Sequence, residues 1–396
     1  MKKLKTLQGV NLESKKVLMR VDFNVPLNKE TGEITDNSRI KASLPTIEYL
    51  LKQKSKIILI SHLGRPEGTP SKKLSLEKVA ANLSELLNEK VQFIDKCVGK
   101  EVEEQVKNLK DQEILMLENI RFHKEEQENN PEFAKILSDL GDIYVNDAFG
   151  VCHREDASVA GITKYMDSYA GLLLEKEIVE LTKALNNPKP PVTIIMGGAK
   201  IETKIDILKN FINKADNFII GGGLANTFLA ACGYNIGDSL YEKDKKEIAQ
   251  EIMLQAEKNN HKFILPKDAI VASEIKDNAE TLEMPIKDIE GDMRILDIGP
   301  MTRTRIHQII QKSNTIIWNG PMGLSECKPF ENGTKLVAQE IAKSKALTIL
   351  GGGDTLEALE RFNIGFDKYT HVSTGGGAML DFLSGKELPG IKPLFK

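Results

Sequence analysis

What most constrains this chain is a unit repeated along it: a short apolar run, a cluster of polar or glycine residues, then apolar positions at helical spacing. Such runs read as strand, loop and amphipathic helix, and their alternation specifies a mostly parallel, doubly wound α/β sheet. A sheet of this kind gathers the loops after its strands on one edge, where ligands bind. At 396 residues the chain is too long for one ordinary core, so two such domains are expected.

In the first half, the strand Lys16–Val21 runs into Asp22-Phe23-Asn24-Val25-Pro26, and Arg39 stands near the start of the next helix. The strand Ile57–Ile60 ends in Ser61-His62-Leu63-Gly64-Arg65-Pro66, with Ser75 as the expected N-cap of the helix that follows. Ile114–Leu117 leads into Glu118-Asn119-Ile120-Arg121-Phe122-His123, and Ile143–Val145 leads into Asn146–Gly150 and then His153-Arg154. One histidine or arginine past a strand reads as structural. Repeated at three strand ends, they are expected to bring His62, Arg65, Arg121, His123, His153 and Arg154, with Arg39, into one basic patch. Several guanidinium groups together suit a small polyanion. Lys124–Glu128 reads as a solvated loop or helix start.

Gly171–Asn187 carries the stripe Leu174, Ile178, Leu181 and Leu185, and stops at Asn186-Asn187-Pro188-Lys189-Pro190-Pro191. The alternation restarts there, so this helix reads as the joint between the halves.

The second half opens with Val192–Ile195 and Met196-Gly197-Gly198-Ala199-Lys200-Ile201-Glu202-Thr203-Lys204, expected to begin a helix through Ile205, Leu208 and Ile212. Free amides at a helix start suit a phosphate, and Lys200 and Lys204 would stand one turn apart on one face. Strand followed by glycine cluster recurs at Gly221-Gly222-Gly223, Asn319–Gly323, Gly351-Gly352-Gly353-Asp354-Thr355 and Gly375-Gly376-Gly377. Together these make a wide floor for phosphates or a ring. Asp354 has two readings, a plain N-cap or a carboxylate holding Mg²⁺ on nucleotide phosphates. The pattern GxxxxGK[ST] is absent, and so is a GxGxxG opening a βαβ unit with an acid downstream, which weighs against a nicotinamide cofactor.

Composition narrows the classes further. The net charge of −3 argues against a nucleic-acid partner, and no apolar run approaches membrane-spanning length. Gln8, Asn11 and Glu13 interrupt the basic start before a secretory leader could form, and Cys97, Cys152, Cys232 and Cys327 lie far apart. A cytoplasmic setting is expected, with neither zinc nor a disulfide framework.

From Arg20-Val21-Asp22-Phe23-Asn24-Val25-Pro26 to Ser373-Thr374-Gly375-Gly376-Gly377-Ala378, the chain resembles the phosphoglycerate kinases. The resemblance runs through Ser61–Pro66, Glu118–Phe122, Asn146–Gly150 with His153-Arg154, Gly197–Lys200, Trp318–Pro321 and Gly351–Thr355, in order and nearly end to end. It implies two Rossmann-like doubly wound parallel-sheet domains, residues 1–170 and 188–377, joined by a hinge helix at 171–187, with a tail at 378–396 packing back on the first. It also implies reversible transfer of the acyl phosphate of 1,3-bisphosphoglycerate to Mg·ADP, giving 3-phosphoglycerate and ATP, in a monomer.

Carried over residue by residue, the resemblance implies that Asp22, Phe23 and Asn24 surround the glycerate part. His62, Leu63, Gly64, Arg65, Arg121 and Arg154 would surround the non-transferring phosphate. Arg39, Lys204 and Gly376 would attend the phosphoryl group in flight. Lys200, Ile295, Asn319, Glu326, Gly352, Gly353, Asp354 and Thr355 would hold the nucleotide, with Asp354 on Mg²⁺. The chain departs from the family pattern at three places, all expected on the nucleotide side: Ile295 for a glycine, Leu324-Ser325 for Val-Phe, and Met379 for a serine. A nicotinamide oxidoreductase and a binding protein that has lost catalysis are the rival classes. The missing fingerprint opposes the first, and the intact Arg39, Lys204 and Asp354 oppose the second.

Overall fold

The computed structural model describes residues 3–28, 30–259 and 261–396. Its contacts divide the chain into two compact units, one running to Val179 and including Glu387–Lys396, the other Glu180–Lys386. The division falls inside the helix Leu172–Asn186. No helix among the described residues is long and apolar enough to cross a membrane.

The first unit is built on six strands: β1 (Lys16–Arg20), β2 (Lys56–Ile60), β3 (Val91–Ile94), β4 (Ile114–Leu117), β5 (Ile143–Asn146) and β6 (Ser168–Ala170). They lie in the order β3-β4-β2-β1-β5-β6, all parallel. Alternation along each strand shows why both faces are covered. Val17, Met19, Ile57, Leu59, Ile114 and Met116 enter one core, while Leu18, Ile58, Ile60, Leu115 and Leu117 enter the other. Strands apolar on both faces need helices on both sides, and parallel neighbours need crossovers that supply them. Chain order runs outward from β1 to β2 and returns to β5 on its other side, which makes a switch point beside β1.

The second unit repeats the plan with β7 (Val192–Met196), β8 (Asn217–Ile220), β9 (Lys262–Ile264), β13 (Thr315–Asn319), β14 (Leu347–Gly351) and β15 (His371–Val372), in the order β15-β14-β13-β7-β8-β9. Its switch point lies between β7 and β13. Inserted in this unit is a small antiparallel sheet, β11-β10-β12, of β10 (Asp268–Ala272), β11 (Leu282–Pro285) and β12 (Arg294–Ile298).

Local expectations need four corrections. Ser75 is not the N-cap of the helix Glu77–Leu87; Leu76 holds that place, and the Glu118 carboxylate accepts the Leu76 N–H at 2.8 Å and the Ser75 hydroxyl at 2.7 Å. The helix after β7 begins only at Ile205, so residues 197–204 form turns and Lys200 and Lys204 do not share a helical face. The run Lys124–Glu128 does begin a helix, Lys124–Gln127, and is exposed except at Glu126, which is fully buried rather than solvated. The piece of tail that belongs with the first unit starts at Glu387, whereas 378–386 stays with the second.

Asp147, just past β5, fixes the start of the helix Leu172–Asn186. Its Oδ1 accepts the N–H groups of Leu173 at 3.0 Å and Leu174 at 3.2 Å, although the cap lies 26 residues away in sequence. Burial pushes this carboxyl from 3.8 up to about 7, against the opposing pull of the Thr46, Leu174, Leu173 and Ser43 hydrogen bonds. The unfolded chain therefore loses this proton first. Stability supplied by the protonated carboxyl is complete below the unfolded value and is lost as pH rises towards 7. Asp147→Asn keeps an acceptor and has no proton to lose. Between about pH 4 and about pH 7 the difference in Tm should move in the variant's favour by about a few degrees. A difference that stays constant over that range would refute a buried, titrating Asp147.

Candidate active site

Four loops of the first unit follow β1, β2, β4 and β5 at their carboxyl ends. Phe23 is fully buried, and its N–H donates to Ser61 Oγ at 3.0 Å, so Asp22 and Asn24 flank an anchored residue. Asn24 Oδ1 accepts the Gly64 N–H at 2.8 Å, and Asn119 clamps Leu63 through its N–H at 3.2 Å and its carbonyl at 2.7 Å. Phe23 and Leu63 thus act through the core and the backbone. Arg39, from the helix Ser38–Lys52, donates to Asp22 Oδ2 at 2.9 Å.

The basic patch is present but smaller than the sequence suggests. Arg39, His62, Arg121 and Arg154 come together: burial, and then Arg20, Arg121, Arg154 and Arg39, hold the His62 imidazole well below its usual range. Arg121 is lowered to about 10 by burial, followed by Arg154 and Arg20. Its Nη1 donates to the Gly64 carbonyl at 2.9 Å, while its Nε and Nη2 and the Arg154 Nε are buried without a hydrogen-bond partner among the described residues. Arg65 is exposed, and His153 and Arg154 follow the turn Phe149–Val151. His123 stands apart, its ring 5.0 Å from that of Phe133.

Sequence reasoning passed over the group beneath this patch. Arg20, the last residue of β1, is fully buried. It donates through Nε to Ser158 Oγ at 2.9 Å and through Nη1 to the Val21 carbonyl, and its Nη2 lies 3.3 Å from His62 Nδ1. Ser158 in turn donates its hydroxyl to Glu126 at 2.5 Å and its N–H at 2.8 Å. A charged residue closing an apolar strand was the available signal.

In the second unit the glycine clusters serve each other before any ligand. A Cβ on Gly320, where φ is +92°, would stand 2.4 Å from the Gly197 carbonyl oxygen. On Gly352, at φ +105°, it would stand 2.8 Å from Asn319 Nδ2. At Gly320 the loops interlock backbone to backbone and at Gly352 backbone to side chain, and the positive φ at both favours glycine. Lys204 is buried and donates to Asn319 Oδ1, while Asn319 Nδ2 donates to the Gly351 carbonyl at 2.6 Å. Burial lowers the Lys204 ammonium to about 8, with Asp354 acting to raise it. Asp354 is exposed one residue inside the helix Gly353–Arg361, whose N-cap is Gly352, so the plain N-cap reading is wrong. Thr355 Oγ1 accepts the Gly320 N–H at 2.8 Å.

Two adjoining cavities result. One of about 380 Å³ is lined by Lys200, Lys204, Asn319, Gly353, Asp354 and Gly376. The other, about 860 Å³, is lined by Ile275, Ile295, Leu296, Leu324 and Glu326 and shares Asp354 with the first. The Ile295 N–H donates to Ser239 Oγ at 2.8 Å and is thus already engaged. Met379 is buried beneath Gly351, where a Cβ would meet its sulfur at 2.6 Å, so this departure lies under the floor and not in it.

A family model described as phosphoglycerate kinase matches residues 7–386. The phosphoglycerate kinase of Dictyoglomus turgidum is 50% identical over 98% of this chain and 97% of its own, and that of Moorella thermoacetica is 48% identical over 98% of both. Among solved structures, the phosphoglycerate kinase of Coxiella burnetii superposes with a TM-score of 0.89 at 42% identity, covering 99% of each chain. That of Pyrococcus horikoshii gives 0.85 at 33% identity, covering 99% of this chain and 98% of the other. Two Rossmann-like units, one with a basic site and one with a glycine-walled site, define an α/β phosphotransferase. The chain belongs to the phosphoglycerate kinase family. It is a kinase that exchanges a phosphoryl group between a phosphoglycerate and a nucleotide in glycolysis.

Proposed function

We propose that the reaction is divided between the units, with the phosphoglycerate on the basic site and Mg·ADP or Mg·ATP in the paired cavities. The observation that carries this reading is the set of buried Arg121 and Arg154 donors that find no hydrogen-bond acceptor among the described residues. An anion with several oxygens supplies what they lack. Asp22 and Asn24 orient the glycerate part, and His62, Arg65, Arg121 and Arg154 hold the phosphate that stays. Arg39, loosely held by Asp22, reaches the carboxyl end and the phosphoryl in transit.

On the nucleotide side, Lys204 is aimed by Asn319 and meets the transferring group, with Lys200 beside it. Gly352, Gly353 and Thr355 line the phosphates, Gly375 and Gly376 complete the cradle, Glu326 takes the ribose, and Ile295 borders the base. Asp354 fits Mg²⁺, which is held by one or two carboxylates together with substrate phosphates. Bound there, the ion neutralises phosphate charge. The transition state is loose and spreads charge over the moving oxygens, so placed cations and amides do most of the work. Carboxylate and ADP oxygens are already ionised, and no general base is required. Transfer needs the units to close about the helix Leu172–Asn186, which also excludes water from the acyl phosphate. The reading extends to a cytoplasmic monomer acting on small molecules alone.

The deciding assay is ATP consumption with 3-phosphoglycerate present or omitted and Mg²⁺ present or chelated; turnover should require both. Consumption indifferent to 3-phosphoglycerate would sink the proposal. Arg39→Ala and Lys204→Ala should each lower kcat by about 10²-fold or more, the scale of losing one oxyanion donor; near-native turnover would remove the assigned role. Because Lys204 loses its proton near pH 8, kcat/KM for the nucleotide should fall on the alkaline side of that value. A profile flat through this range in the wild type would contradict a phosphate-binding Lys204.

A further inference from the structure

We propose that Arg20 is a positioning residue that locks His62 as the tautomer carrying its proton on Nε2, so that the imidazole offers the bound phosphoglycerate one directed N–H.

The argument runs on donor and acceptor capacity. A guanidinium donates and never accepts, so an Arg20 Nη2 lying 3.3 Å from His62 Nδ1 requires a lone pair on that nitrogen. A proton on Nδ1 would face an N–H head on. Among the described residues the carboxylate paired with Nδ1 is Asp22, whose Oδ1 is 3.8 Å away, beyond hydrogen-bond reach, and whose Oδ2 is taken by Arg39 at 2.9 Å. The proton of a neutral His62 therefore sits on Nε2, which no hydrogen bond reaches among the described residues.

Arg20 is itself held from behind. The Glu126 carboxylate accepts the Ser158 hydroxyl proton, which leaves a Ser158 lone pair for the Arg20 Nε–H at 2.9 Å. The Val21 carbonyl takes Nη1. Every proton along Glu126–Ser158–Arg20–His62 has one permitted direction, and the series ends at Nε2–H. Ionisable groups facing the ring are Arg20, Arg39, Arg121 and Arg154, all of which disfavour a second proton, and Asp22, whose carboxylate 3.8 Å from Nδ1 makes no hydrogen bond to it but opposes them electrostatically. Burial acts with the arginines, so the ring stays neutral through the physiological range. His62 then contributes direction, and the arginines contribute charge. The functional part of this inference rests on the substrate role proposed above for His62.

The test is long-range ¹H–¹⁵N correlation on the full chain labelled in histidine, with the His62 signal assigned by its loss in His62→Gln. The wild type should show Nε2 protonated and Nδ1 as an acceptor, unchanged from about pH 5.5 to about pH 8. An Nδ1–H pattern, or a cationic ring at neutral pH, overturns the proposal without any variant. Ser158→Ala keeps every charge but frees Arg20, and should mix the tautomers; an unmixed signal overturns the relay. In Arg20→Met, which leaves burial and Arg39, Arg121 and Arg154 in place, the ring should stay neutral but populate Nδ1–H, and the KM for 3-phosphoglycerate should rise about tenfold or more; an unmixed Nε2–H signal in this variant overturns the lock. Adding 3-phosphoglycerate to the wild type separates the two claims. A shift of the Nε2–H signal supports both, and an intact tautomer that does not respond to substrate overturns the directed contact.

Discussion

Pairing between parallel strands is the constraint behind both sites. A parallel neighbour cannot be reached by a tight turn, so each return crosses a face of the sheet and every strand ends on the same edge. Where the order of crossing reverses, the loops on either side part and leave a cleft. In the first unit Asp22, His62, Arg121 and Arg154 follow strands near the reversal beside β1. In the second, Lys204 and Asn319 follow β7 and close β13, the pair that flanks the reversal. Chemistry collects at these places because the backbone opens there.

The two clefts use different electrostatics. The first packs guanidinium groups against one another, and burial followed by their mutual repulsion lowers Arg121. Glu126, Asp156 and Asp22 stand behind or beside them and offset part of that cost. The second relies on backbone amides and one buried lysine. Its glycines are required where the loops meet, as at Gly197 and Gly320, while the larger cavity is also walled by Ile275, Ile295, Leu296 and Leu324.

Much of this was legible in the residues. Near-continuous apolar runs such as Ile57–Ile60 and Val192–Met196 made the parallel sheets readable, and polar residues past their ends marked the loops. What escaped notice depends on partners far apart in sequence. Asp268 caps the helix Pro300–Ile310 through the N–H groups of Met301 and Thr302, both at 2.8 Å, from a strand more than thirty residues earlier. Glu118 anchors Ser75 and Leu76 at the helix start while Ser75 Oγ accepts the Glu77 N–H at 3.3 Å, and Glu126 turns inward to Ser158. Local pattern assigns a charged side chain to solvent by default, and only the fold shows which of them are enclosed. His123 shows the reverse: a histidine beside an arginine in sequence that spends its ring on Phe133.

The division of the chain also imposes an order on its biosynthesis. Residues 180–386 form a compact unit from one continuous stretch, whereas the first unit includes Glu387–Lys396. Those residues are not idle: the Gly390 carbonyl accepts from Asn146 at 3.0 Å, and the Lys5 N–H donates to the Leu394 carbonyl at 2.7 Å. A ribosome making this protein releases them only after the whole second unit has been translated. The unit that emerges first is therefore the unit completed last, and Asn146 at the end of β5 lacks its Gly390 partner until translation has passed that residue.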